Sequence, residues 1–241
     1  MAWLIIILGS FAAGMIQISV GFGAAVLLMS IFPYCFDMIT AAAISGVICL
    51  YISGRMVWQY RKSIDWHVIL TPTVCYAATN IIMIRLLGAL DLRLLTIAFG
   101  GFLIILSLYY LFFSKKATIQ GTRLTTIGCS LISGACAGLF GVGGPMMALY
   151  FLAVLDTWDR YMGCLQMLFV VANVVSLITR ISSGIYTVGL IPATVVGILF
   201  VSIGAWVGNS ITQKLNADTL RKIVYLFVGI SGIVTIVQHL F

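Results

Sequence analysis

Charge is what this chain has least of. Only 8% of its 241 residues are charged, against roughly 25% in an ordinary soluble domain. Glutamate does not occur, and the six acidic residues are aspartates near the ends of apolar runs. Histidine occurs twice, as His67 and His239, again near such ends. These shortages exclude whole classes of function. A carrier of metal cations needs carboxylates or imidazoles within its spans, and none lie there. HExxH and GxSxG are absent, and no apolar run holds a Ser/His or paired-Asp set, so the chain does not read as an enzyme. The six cysteines (Cys35, Cys49, Cys75, Cys129, Cys136 and Cys164) form no CxxC or Cys/His spacing. Inside apolar segments they serve as small hydrophobes, and no metal or cofactor is expected. The thirteen Lys and Arg residues are scattered over short loops, which gives a net charge of +7 without a nucleic-acid-binding patch.

What the chain does have is apolar length. Apolar residues make up 62% of it, and its runs exceed the ~18 residues that mark a spanning helix. The expected class is an all-α, polytopic membrane protein with the lipid bilayer as its main partner. The opening MAWLIIILGS has no basic leader region and is read as the first membrane segment, not a cleaved signal.

The chain also repeats itself. Gly14, Gly21 and Gly23 recur as Gly134, Gly141 and Gly143, and Pro72 recurs as Pro192, always 120 residues later. The first half (1–113) reads as a helix over 2–20, a break at Gly21-Phe22-Gly23 and a resumed helix over 24–34. Further helices follow over 38–59, 66–84 (with a kink expected at Pro72) and 94–113. A polar connector, 114–123, joins the halves. The second half (124–241) gives 124–140, a break at Gly141-Val142-Gly143-Gly144 and a piece from Pro145 to about 155. It continues with 160–181, 187–208 and 220–240. The Gly204xxxGly208 pair has no counterpart in the first half and reads as a packing motif.

As one straight helix, residues 2–36 would measure ~52 Å, against a hydrocarbon core of ~30 Å. Either a long tilted helix crosses once, or the chain turns back at the glycines. Single crossings divide the basic residues seven against six, whereas turning back divides them ten against three. Only the second is a positive-inside bias. It puts Arg55, Arg61, Lys62, Lys115, Lys116, Arg123, Arg160, Lys214, Arg221 and Lys222 on the cytoplasmic side and both termini outside. Each half then makes an odd number of crossings, so the halves are expected to be inverted. Inverted repeats with broken helices characterise secondary transporters.

A helix that resumes after a break presents unpaired N–H groups and the positive end of its dipole, a setting for an anion. Pro145 suits the first turn, where a missing N–H costs little. Two such breaks, Gly21-Phe22-Gly23 and Gly141-Val142-Gly143-Gly144, are expected to hold one small oxyanion between them. The alternative for the glycines is close helix crossing. Gln17, Ser19, Ser45, Gln166 and Asn173 are the polar candidates for completing the site, with helix–helix hydrogen bonding as their other role. Ser45 and Gln166 occupy nearly matching places, 121 residues apart. Arg55, about a turn inside its helix end, either snorkels or draws anions to the pathway mouth. Arg180 reads as an interfacial anchor.

The stretches GACAGLFGVGGPMMALYFL (134–152) and GMIQISVGFGAAVLLMSIFP (14–33) resemble the TauE/SafE family, also called the toluene-sulfonate uptake permease family. The similarity of plan covers essentially the whole chain. The resemblance implies a bacterial inner-membrane carrier for small sulfur-containing anions such as sulfite, sulfoacetate or other sulfonates. It carries the family motif onto Gly21, Gly23, Gly141, Gly143, Gly144 and Pro145. The first half departs from the motif, with Ala24-Ala25 where the second half has Gly144-Pro145. Transport by alternating access, coupled to a proton or ion gradient, in a monomer or homodimer, is the expectation. A channel-like facilitator and a scaffold without transport are the alternatives.

Overall fold

The computed structural model describes residues 2–113, 121–212 and 217–240. These form ten α-helices: α1 Ala2–Val20, α2 Ala24–Ile31, α3 Met38–Tyr60, α4 Trp66–Leu86, α5 Leu92–Leu108, α6 Arg123–Phe140, α7 Gly144–Val154, α8 Trp158–Ser182, α9 Ile191–Thr212 and α10 Ala217–Leu240. A π-helical turn, Tyr109–Phe113, ends α5. No strand occurs among the described residues. Seven helices are long and apolar enough to span a bilayer by themselves, and the protein is a polytopic all-α membrane protein. Most of the expected connector (114–120), with Lys115 and Lys116, and also Lys214 lie outside the described residues.

The scarce acids explain their own positions. Asp37, Asp65 and Asp91 are the N-caps of α3, α4 and α5, each accepting backbone N–H bonds from the first turn. Thr122, at the end of the connector, and Thr157 do the same for α6 and α8. Pro72 and Pro192 share spacing but not role: Pro72 lies inside α4, whereas Pro192 sits in the first turn of α9.

Both glycine breaks turn the chain back. Gly9 of α1 lies against Ile31 and Phe32, at the far end of α2. In the second half the Tyr150 hydroxyl of α7 is 2.8 Å from Thr126 Oγ1, near the start of α6. Each half therefore opens with a hairpin of one long and one short arm, and the single tilted helix is excluded.

The long arms pack on the opposite half. Residues 11, 14 and 15 of α1 meet 204, 201 and 208 of α9, while Gly134 and Gly138 of α6 meet Tyr76 and Asn80 of α4. A Cβ at Gly14 would strike the Val201 carbonyl, and one at Gly134 the Tyr76 carbonyl. Gly14, Gly134, Gly204 and Gly208 are thus crossing points and stand apart from the breaks. Two pairs of helices related by the 120-residue offset, α3 with α8 and α5 with α10, pack on each other in opposite directions. Ile39 of α3 lies beside Arg180 of α8 while Gly163 lies beside Tyr60. In the same way Gly100 of α5 meets Gly232 of α10 and Ser107 meets Tyr225. This antiparallel α3–α8 pair forms the frame on which the two hairpin tips sit.

Candidate functional site

At the first break, Gly21 (φ +85°) and Gly23 (φ +109°) adopt the left-handed backbone that lets α1 stop and α2 start at a new angle. Such a turn frees backbone groups that lipid cannot satisfy. Two fully buried glutamines satisfy them here. Gln17 Oε1 accepts the Ala24 N–H at 3.2 Å, and Gln17 Nε2 donates to the Gly21 carbonyl (3.3 Å) and to Gln166 Oε1 (3.2 Å). Gln166 Nε2, from α8, donates to the same Gly21 carbonyl. The Tyr161 hydroxyl donates to the Val20 carbonyl at 3.2 Å.

The second break is bonded differently. Gly141 (φ +70°) is left-handed, and its N–H donates to the Ala137 carbonyl at 2.9 Å. Gly143 has a negative φ, but a Cβ there would run into the Tyr76 hydroxyl and the Ser133 carbonyl. Its need for glycine is steric. The N-cap of α7, Gly143, like Gly23 before α2, has no side chain to bond the start of the helix. The freed Gly138 carbonyl accepts from Arg180 Nη2 at 3.2 Å. Arg180 also donates from Nη1 to the Ile39 carbonyl (3.5 Å) and from Nε to Ser176 Oγ (3.3 Å). It is 3% exposed and has no acidic partner among the described residues.

Between the breaks lies a cavity of about 50 Å³, above the ~10–15 Å³ needed to hold a water. Gln17, Phe22 and Gly23 line it from the first hairpin, and Gly141, Gly143 and Gly144 from the second. Helix α8 adds Asn173, Ser176 and Arg180, α3 adds Gly46 and Ser53, and α4 adds Tyr76 and Asn80. Ser53 Oγ and Asn80 Oδ1 are buried without a hydrogen-bond partner. Tyr110, in the π-helical turn, touches both tips: its ring is 5.7 Å from Phe22, and its hydroxyl donates to the Pro145 carbonyl at 2.7 Å.

The expected site residues divide into three groups. Gln17, Phe22, Gly23, Gly141, Gly143, Gly144 and Asn173 line the cavity. Gly21 and Gln166 lie one layer behind, bonded to each other. Ser19, Ser45, Val142 and Arg55 are elsewhere. Ser19 and Ser45 bond carbonyls of their own helices, at Met15 and Ala41, Val142 is wholly buried, and Arg55 is exposed. The helix register places Gly46, not Ser45, at the position equivalent to Gln166. Arg180 is no interfacial anchor. The carbonyls of Gly138 and Ile39 offer it acceptors inside the bundle, so it turns inward at the end of α8. Asn80, Ser53, Ser176 and Tyr76 line the cavity without having been expected there. Two signals pointed that way: Ser53 lies 120 residues before Asn173, and Asn80 interrupts an apolar run.

A family model described as Sulfite exporter TauE/SafE matches residues 6–235. No curated protein and no solved structure matches the chain. The matched segment runs from the first hairpin through α10, so it includes both breaks and every cavity-lining helix. The chain therefore belongs to the TauE/SafE family, a family of membrane transporters and not of enzymes.

Proposed function

We propose that the protein is a secondary transporter of small sulfur-containing anions, sulfite or sulfonates, held between the two helix breaks and moved across the bacterial inner membrane by alternating access. The observation that carries this reading is Arg180: a buried cation lining a cavity, with carbonyl and hydroxyl acceptors but no carboxylate partner among the described residues. A buried charge without a counter-charge is costly, and an anion entering the cavity supplies one. The start of α7, whose N-cap is a glycine, borders the same space and adds the positive end of a helix dipole.

The antiparallel packing of α3 on α8 and of α5 on α10 is what inverted halves require, and it supports rocking of one half against the other around a fixed site. With the halves inverted, both termini are periplasmic and ten of the thirteen basic residues are cytoplasmic. The inside-negative potential then favours export of an anion by ~2.3 kcal/mol per charge per 100 mV.

The test is flux of labelled sulfite into proteoliposomes, with wild type compared with Arg180→Gln. Saturable uptake and counterflow in wild type, both lost in a variant that still elutes as a folded species, are expected. Uptake that never saturates would replace the carrier with a channel-like facilitator. Absence of flux for every anion tried would leave the fold and remove the function.

A further inference from the structure

The composition of the cavity wall limits which anion it accepts. Among the described residues Arg180 is the single lining residue that carries a charge at neutral pH; the rest are glycines, apolar residues, aromatics, amides, hydroxyls and the Cys49 thiol. One negative charge balances it. A dianion in the same place would leave its second charge buried and unpaired, a far greater penalty than the second attraction returns.

The polar atoms set a further condition. Arg180 offers donors only. Asn80 and Ser53 line the same cavity, and Asn80 Oδ1 and Ser53 Oγ have no partner. A bare anion accepts hydrogen bonds but gives none, so it bonds Arg180 and leaves the Asn80 oxygen unmet. A ligand that also carries an O–H or N–H meets both needs, and sites with an unmet buried acceptor discriminate against ligands lacking the donor. The cavity volume, about 50 Å³, suits a ligand of a few heavy atoms.

We infer that the cavity selects a small oxyanion of single charge that brings its own hydrogen-bond donor: hydrogensulfite over the sulfite dianion, and an amino- or hydroxy-bearing sulfonate over a plain one. This rests on the anion-carrier reading and narrows it, with Arg180 counting the charge and Asn80 reading the donor.

Three nearly isosteric anions separate the conditions at neutral pH. Sulfate is a dianion without a donor, methanesulfonate a monoanion without a donor, and sulfamate a monoanion with an N–H donor. Each competes against labelled sulfite uptake in proteoliposomes of the full chain, with empty-liposome uptake subtracted. The expected order of inhibition is sulfamate, then methanesulfonate weaker by about tenfold, then sulfate weaker again. Asn80→Leu should bring methanesulfonate level with sulfamate and leave sulfate behind both. Wild type supplies a second reading that needs no variant: uptake per total sulfite should rise as pH falls through the range in which sulfite gains its proton. Sulfate competing as well as sulfamate, methanesulfonate equal to sulfamate in wild type, or uptake falling on acidification would overturn the inference. Flux that still depends on Arg180 would then leave the carrier reading in place. Flux indifferent to Arg180→Gln would overturn both.

Discussion

The two hairpins occupy equivalent places 120 residues apart, yet their tips are finished in opposite ways. At the first, the Gln17 amide holds the Ala24 N–H and the Gly21 carbonyl, and Gln166 holds that carbonyl too. At the second, the positions equivalent to Gln17 and Gln166 are Ala137 and Gly46, both without a polar side chain. What those two leave open is cavity, and the carbonyl freed nearby is met by a cation, Arg180. The same scaffold thus finishes one broken helix with glutamine amides and the other with a guanidinium beside the cavity. A broken helix inside a membrane must have its backbone satisfied by protein or by a water-filled cavity, and here two different side-chain types, amide and guanidinium, meet the freed carbonyls.

The largest expected effects fall where the halves are still alike. Gly14→Leu and Gly134→Leu each drive a side chain into a facing carbonyl, at Val201 and Tyr76. Overpacking of this kind costs ~1–3 kcal/mol and often more where the obstacle is backbone. Both variants should lose folded protein to a similar degree, judged by yield and thermal midpoint in detergent. A strong effect at one and none at the other would show that the crossings are not equivalent.

Next come the exchanges that probe the difference itself. Gln17→Leu orphans the Ala24 N–H, and an unmet buried group costs about 1–3 kcal/mol. Its thermal midpoint should fall clearly. The reverse change, Ala137→Gln, places an amide where the second break has none. It should leave the midpoint level or raised, while sulfite flux falls to the empty-liposome background because the amide takes the ligand's space and the N–H groups of α7. If Ala137→Gln transports normally, the second break is not where the anion sits.

The sequence made the joints visible but not their finish. The ends of α1 and α6 were legible because apolar runs stop at glycine pairs, and the hairpins because only turning back gives the basic residues a sided distribution. Gln17 and Gln166 were legible as interior residues because amides are costly against lipid. Arg180 was not, since hydropathy sees a cation near a helix end and expects it to reach for the headgroups. Its inward turn depends on the carbonyls of Ile39 and Gly138, which lie 141 and 42 residues away. The pairing of Ser45 with Gln166 misled for a related reason. A shift of one residue rotates a helical position by about 100°, enough to turn Ser45 onto its own helix and leave Gly46 facing the cavity.

The smallest effect expected concerns a second asymmetry, at the turns before α4 and α8. Asp65, before α4, bonds Arg160 of α8 at 2.5 Å and ties the halves together, with Asp156 bonding Arg160 from its other side at 2.9 Å. At the opposite ends the equivalent positions are Ile185 and Thr40, which cannot form such a pair. The Arg160 side chain, by hydrogen bonding, holds the Asp65 carboxyl below the usual carboxylate range. A lowered native pKa contributes stability that is present at neutral pH and is lost as pH falls through that lowered value. Asp65→Asn should therefore lower the thermal midpoint slightly at neutral pH, and the gap to wild type should close only below about pH 4. The pair is partly exposed to solvent, so salt should shrink the gap as well. A gap that persists unchanged in strong acid would mean that the carboxylate charge is not what joins the halves. Faster sulfite counterflow in Asp65→Asn would show that this tie resists opening at its end of the bundle, a restraint that the other end lacks at the matching positions.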